Sequence, residues 1–292
     1  MPASAPSGPG PDPGVRGPSL IDLVLELPRS NWELGGFVAM APVLRAAPAG
    51  DGHPVLVLPG FQADDLSTLA LRTYLRTLGY PTHGWRLGRN IGPTPEVVAG
   101  MLRAVRALRA EHGRRPSLVG WSLGGVYARE LARLLPDDVR QVITLGSPFN
   151  VRDMRQTRTA PWYRRLEPRH DGNYRLGRYV PSADPPPVPS TAVYTRGDGI
   201  VSWETTVQRA GARAENVEVR GSHCGLGHNA AVVLAVADRL AQREGTWAPF
   251  RPAWPFRRWY PAPVAGPPGG PGTHRPDRPA GPDDEETTAW TA

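Results

Sequence analysis

The sequence predicts an α/β domain built on a mostly parallel sheet with helices on both faces. Short unbroken apolar runs such as Val55-Leu56-Val57-Leu58 read as strands buried on both sides. Segments with leucine and valine at helical spacing separate those runs. Strands alternating with helices imply parallel pairing, since a parallel neighbour needs a long crossover.

The elements follow in order. Leucines at 66, 69, 71, 75 and 78 mark a helix that Gly79 ends. Residues 82–85 form a short candidate strand. Thr94 before Pro95 reads as an N-cap with proline at the first helical position. That helix runs to residue 112, with Val98, Leu102, Val105 and Leu108 on one face. A strand at 117–120, a helix to Leu135 and a strand at 141–145 follow. The pattern resumes with strands at 191–195 and 216–219 and a last helix over 227–242.

Residues 150–190 interrupt the rhythm and read as an insertion. They hold eight Arg against four acids, with Trp162, Tyr163, Tyr174 and Tyr179 interleaved. Residues 1–18 and 247–292 are rich in Pro and Gly, so both read as disordered tails around a domain at 19–246. Trp254, Phe256, Trp259 and Tyr260 are the residues able to dock the second tail back onto the domain.

The net charge is +7, and all 34 basic residues are Arg. Such usage fits a G- and C-rich coding sequence, which weakens any functional reading of the charge. No zinc-finger spacing, helix-turn-helix or basic block stands out, so no nucleic-acid partner is expected. One cysteine, Cys224, excludes an intrachain disulfide framework. No apolar run reaches the ~18 residues of a membrane span, and no secretory signal is visible. The expectation is a soluble cytoplasmic protein. Scattered histidines and the absence of a Gly-rich phosphate loop predict chemistry without metal or cofactor.

Gly120-Trp121-Ser122-Leu123-Gly124 is a G-x-S-x-G pentapeptide between a strand and a helix. A serine on so sharp a turn sits in a strained backbone, with its oxygen clear of the sheet. Side chains two positions either side would collide, so both favour glycine. The blander reading is a turn with Ser122 as a capping hydroxyl.

An acyl-transfer serine needs a base, an acid to orient that base, and two N–H donors for the oxyanion. His223, in Gly221-Ser222-His223-Cys224, follows the last strand and is the favoured base. His228 competes with it, but is expected in the first turn of the last helix. Asp198, in Arg196-Gly197-Asp198-Gly199, follows the preceding strand and is the favoured acid. Asp171 and Asp184 lie in the insertion and are weaker candidates. The order Ser…Asp…His decides between Asp198 as acid and Asp198 as a mere turn residue. The oxyanion donors are expected to be the backbone N–H of Leu123 and of Phe61, in Leu58-Pro59-Gly60-Phe61-Gln62.

Taken together, Pro59-Gly60-Phe61, Gly120–Gly124, Leu145-Gly146-Ser147-Pro148, Asp198-Gly199-Ile200-Val201 and Gly221-Ser222-His223 resemble the α/β-hydrolases, especially bacterial lipases and esterases. Pro59 stands where many lipases have His, and no leading antiparallel hairpin is evident. The resemblance implies a serine hydrolase of carboxylic, lipid-like or acylglycerol esters. It also implies that 150–190 is a cap or lid, whose basic charge suits peripheral membrane contact. Two alternatives stay open: an acyltransferase or thioesterase using the same triad, and a non-catalytic binder that keeps the fold. Acyl chain length and oligomeric state are not legible.

Overall fold

The computed structural model describes residues 17–171, 180–264 and 266–267. Ser19 caps the first helix, α1 (Leu20–Ala39), by accepting from the Asp22 N–H at 3.4 Å. A single turn, α2 (Ala41–Leu44), leads to β1 (Val55–Leu58). The alternation continues with α3 (Leu69–Thr77), β2 (Thr82–Gly84), α4 (Pro95–His112), β3 (Ser117–Trp121), α5 (Leu123–Leu134) and β4 (Gln141–Leu145). After α6 (Ala160–Leu166) come β5 (Ser190–Tyr194), β6 (Ala214–Glu218) and α7 (Ala230–Ala241).

The six strands form one sheet in the order β2-β1-β3-β4-β5-β6, and every pairing is parallel. Alternate residues of a strand face opposite sides. Val55 and Val57 therefore pack with α3 and α7, among Leu71, Leu75, Val232 and Val236. Leu56 and Leu58 pack with α4 and α5, among Val98, Met101, Tyr127 and Leu131. Each such side chain, fully buried, contributes roughly 1.5–3 kcal/mol of hydrophobic stabilisation. Both faces are covered, which is why the central strand β1 reads as an unbroken apolar run.

Caps set the helix ends. Thr94 Oγ1 accepts from the Val97 N–H, and Gly113 closes α4 in the left-handed region at φ 61°. The helix expected from residue 66 begins at Leu69, because Asp64 draws the Leu66 N–H and Ser67 hydroxyl into a turn. The last helix begins at Ala230, since Asn229 Oδ1 accepts from the Ala231 and Val232 N–H groups. His228 thus lies in the turn before the helix, not inside it.

α1 has no counterpart among the sequence-predicted elements. It turns Asp22, Glu26, Arg29, Ser30 and Glu33 toward the domain. Leu20, Ile21, Val24, Leu27 and Trp32 face solvent, with Trp32 85% exposed. Among the described residues no helix is long and apolar enough to cross a membrane.

Packed structure extends past residue 246. Phe250, Trp259 and Tyr260 pack on the α3–α7 core, and the Tyr260 hydroxyl donates to Ala231 O at 2.8 Å. Val264 N–H donates to the Tyr194 hydroxyl at 3.0 Å. Burial of aromatic rings here outweighs a composition rich in Pro and Gly. Trp254 does not join them and is 88% exposed. Residues 1–16 and 268–292, and Tyr174 and Tyr179 of the insertion, lie outside the described residues.

Candidate active site

The chain reverses its direction of travel across the sheet between β1 and β3, so their carboxyl ends border a crevice. The loop after β1 and the turn after β3 both open into it. Ser122 sits on that turn with φ 52° and ψ −121°, a backbone conformation that costs a non-glycine residue strain. Its N–H donates to Leu145 O at 2.8 Å, which pins the turn to β4. A Cβ on Gly124 would run into the Leu58 carbonyl, and one on Gly120 into the backbone of Gly124 and Gly125. The two glycines are required by close approach, as the pentapeptide implied.

His223 and Asp198 come together. His223 Nδ1 and Asp198 Oδ2 are 2.6 Å apart, and both residues are buried. Asp198 Oδ1 accepts from the Ile200 and Val201 N–H groups at 2.9 and 2.8 Å. A carboxylate can only accept, so Nδ1 donates to it, and in the neutral ring Nε2 keeps its lone pair. Trp121 Nε1 donates to His223 O at 3.1 Å and so holds the histidine loop to the residue before Ser122. Among the described residues no hydrogen bond joins Ser122 to His223. Nucleophile–base contacts are often loose in a free enzyme and tighten with substrate.

Opposing effects act on the His223 ring. Burial pulls its pKa down, but the Asp198 charge and hydrogen bond, with the Glu26 charge beyond them, leave it above the ordinary 6.5. The rivals sit elsewhere. His228 Nε2 faces Ser30 O and Oγ at 3.0 and 3.2 Å, which ties the turn to α1. Asp171 N–H donates to Pro93 O, and Asp184 pairs with Arg209; Asp198 is the acid on His223.

The loop after β1 brings Phe61 to the cleft at Ser122, and Gly60 packs so closely that a Cβ would come within 3.2 Å of Ser122 Cβ. Among the described residues neither the Phe61 nor the Leu123 N–H donates to a protein acceptor. Ser122 opens onto a cleft of about 170 Å³ walled by Phe61, Val126, Val151, Met154, Ala160 and Tyr163. The Tyr163 ring packs edge-on to Phe61 at 5.8 Å and against His170 at 4.8 Å. The described part of the insertion, including α6, forms one wall of this cleft.

A parallel sheet with a strained serine after one strand, an acid after a later strand and a histidine after the last is a specific arrangement. The chain has the α/β-hydrolase fold. No family model matches the chain, and no curated protein matches it. Solved α/β-hydrolase structures similar to it include Aspergillus fumigatus lipase B, at 16% identity and TM-score 0.49 over 70% of this chain and 58% of that one. This chain therefore spans less than two thirds of that lipase. The thioesterase domain of the curacin biosynthetic pathway is 16% identical, TM-score 0.43, over 66% of this chain and 91% of its own. The monoacylglycerol lipase of Paleococcus ferrophilus is 15% identical, TM-score 0.43, over 65% and 96%.

Within this fold, three polar residues at the site carry no local motif. Asn90 lies under the loop after β1, while Glu26 and Glu33 reach from α1 to the histidine loop. For α1 a signal did exist. Asp22, Glu26, Arg29, Ser30 and Glu33 recur at helical spacing and make one polar face in an otherwise apolar run. Among the described residues no cluster of three or more His, Cys, Asp or Glu side chains forms a metal site.

Proposed function

We propose that this α/β-hydrolase is a serine hydrolase of carboxylic esters that works through an acyl-enzyme. The observation that carries the reading is the 2.6 Å His223–Asp198 pair beside a serine at φ 52° that opens onto an apolar cleft. In this scheme Ser122 Oγ attacks the acyl carbon while His223 Nε2 takes its proton. Asp198 holds the ring and stabilises the imidazolium. The N–H groups of Phe61 and Leu123 receive the developing oxyanion. His223 then returns the proton to the leaving alcohol as the ester C–O bond breaks. Water, deprotonated by His223, releases the acid and restores Ser122.

The apolar walls of the cleft favour an acyl chain, which supports lipid-like esters as the substrate class. The insertion that forms one wall is read as a cap over the acyl site. The test is hydrolysis of a p-nitrophenyl ester series from acetyl to palmitoyl by the wild type and by Ser122→Ala. The wild type should turn over at least one ester, and the variant should lose at least about 1,000-fold in kcat. Wild-type turnover in Ser122→Ala would refute the scheme.

A further inference from the structure

α1 lays its polar face on the two loops that carry Asp198 and His223. At the centre of that face Glu26 is 2% exposed. Its Oε1 accepts from the Gly199 N–H at 2.8 Å and from the His223 N–H at 3.0 Å, and its Oε2 accepts from the Cys224 N–H at 2.8 Å. One carboxylate is thus bonded to the residue after the acid, to the base itself and to the residue after the base. The fit is close, because a Cβ on Gly199 would strike the backbone of Leu23. Arg29 donates to Gly197 O at 2.6 Å and lies 3.7 Å from Glu26. A buried carboxylate is costly unless its lone pairs are filled, and three backbone donors fill them here.

We propose that Glu26 is a positioning residue of the hydrolase: by bonding Gly199, His223 and Cys224 at once, it holds the Asp198 loop and the His223 loop in the one register that keeps acid and base together. Its catalytic consequence rests on the serine-hydrolase reading above; the clamp itself does not. Neither loop could shift without breaking bonds to the other's anchor. The second carboxylate of α1, Glu33, differs in reach. It accepts from the Ser222 N–H, the Ser222 hydroxyl and Asn229 Nδ2, so it touches only the histidine side.

The charge of Glu26 adds a signature that simple bracing lacks. The groups facing the His223 ring are Asp198 from the loop after β5 and Glu26 from α1, with Arg29 partly offsetting the latter. The neighbouring Cys224 thiol is pushed up to about 12 by burial and by Glu26, and stays neutral. Both carboxylates favour the imidazolium, so removing either charge should let the ring lose its proton at lower pH.

The experiment is an NMR titration of the His223 ring in the full chain, alongside kcat and KM on a p-nitrophenyl ester, for the wild type, Glu26→Gln, Glu26→Asp and Glu33→Gln. Glu26→Gln should lower the His223 midpoint and reduce kcat by about 100-fold with KM little changed. Glu26→Asp keeps the charge and should keep the midpoint, with a smaller loss of kcat. Glu33→Gln should leave the midpoint in place. An unmoved midpoint in Glu26→Gln, or an equal shift in Glu33→Gln, overturns the proposal. If Glu26→Gln does not fold, Glu26→Asp decides: an unchanged kcat overturns it. Labelling of wild-type Ser122 by a fluorophosphonate separates the two readings. A moved midpoint without labelling keeps the clamp and rejects the hydrolase.

Discussion

The Asn90 side-chain oxygen accepts a hydrogen bond from the Tyr127 hydroxyl at 3.1 Å, and so links the loop after β2 to the helix that follows Ser122. Asn90 is fully buried, and its amide nitrogen donates to Pro59 O at 2.9 Å. Its backbone ties down the loop after β1: Asn90 O accepts from the Gln62 N–H at 2.7 Å, and its N–H donates to Ala63 O at 2.8 Å. Gln62 is held at φ 62°, a left-handed conformation that a free loop would leave. Asn90 therefore fixes the loop that carries Phe61, the oxyanion donor of the proposed scheme. Asn90→Ala should cost about 100-fold in kcat, the scale of losing one oxyanion donor, and about 1–3 kcal/mol of stability from unpaired buried groups. Tyr127→Phe should cost about 1 kcal/mol and less activity. Steady-state kinetics with urea unfolding checks both, and wild-type kcat in Asn90→Ala would show that the loop keeps its shape unaided.

The His223 environment sets the direction of the pH response. In the proposed scheme His223 must be neutral to take the Ser122 proton, and burial is outweighed by Asp198 and Glu26 so that the ring holds its proton above the ordinary 6.5. Activity should therefore rise with pH through a midpoint above 6.5, read from kcat/KM of the free enzyme. Asp198→Asn removes the largest favourable charge and lets Nδ1 lose its acceptor. Its kcat should fall by about 10,000-fold, as expected when the imidazole is left in the wrong tautomer. A wild-type midpoint below 6.5 would sink this account.

Sequence reasoning reached the sheet and the serine turn because both are local. Val55-Leu56-Val57-Leu58 is apolar on both faces, and Gly120, Ser122 and Gly124 meet a steric demand within five residues. The pairing of Asp198 with His223 was legible through chain order, since each follows a strand. Glu26 was not, because its three partners are backbone N–H groups more than 170 residues away, which carry no side-chain signature. Asn90 was hidden for the same reason: its acceptor is the carbonyl of Pro59. The packing of residues past 246 was only partly legible, because composition averages over Phe250, Trp259 and Tyr260, whereas packing depends on those rings.

His53 gives a stability prediction independent of the chemistry. It is fully buried at the start of β1, with Nδ1 on Asp51 and Nε2 at 2.8 Å from Ser117 Oγ at the start of β3. Burial and the charges of Arg140 and Arg114 lower its pKa to about 4, against the opposing pull of Asp51. In the unfolded chain the ring titrates near 6.5. Between those values the unfolded chain binds a proton that the native ring refuses, so stability falls as pH drops from 6.5 toward 4. The loss attributable to His53 should approach about 3 kcal/mol. Urea unfolding at pH 7 and pH 4.5 should show a steep decline for the wild type. His53→Asn should be weaker at pH 7 and show a shallower decline. Parallel declines in the two proteins would place the acid sensitivity elsewhere.

The cleft at Ser122 sets the expected substrate size. Its volume of about 170 Å³ lies below the roughly 300 Å³ at which pockets for drug-sized ligands begin. The cleft therefore encloses only the first carbons of an acyl chain, and a longer lipid-like chain should run out along the wall formed by α6. Ala160 is buried in the cleft wall at the first turn of α6, whereas Met154 lies half exposed at the rim. Ala160→Leu fills acyl space directly and should cut kcat/KM for longer chains by about 10- to 100-fold, with acetate esters nearly unaffected. Met154→Ala changes the rim and should shift the series little. An unchanged chain-length profile in Ala160→Leu would mean that the acyl chain leaves Ser122 by another path, and the wall formed by α6 would then face the leaving group.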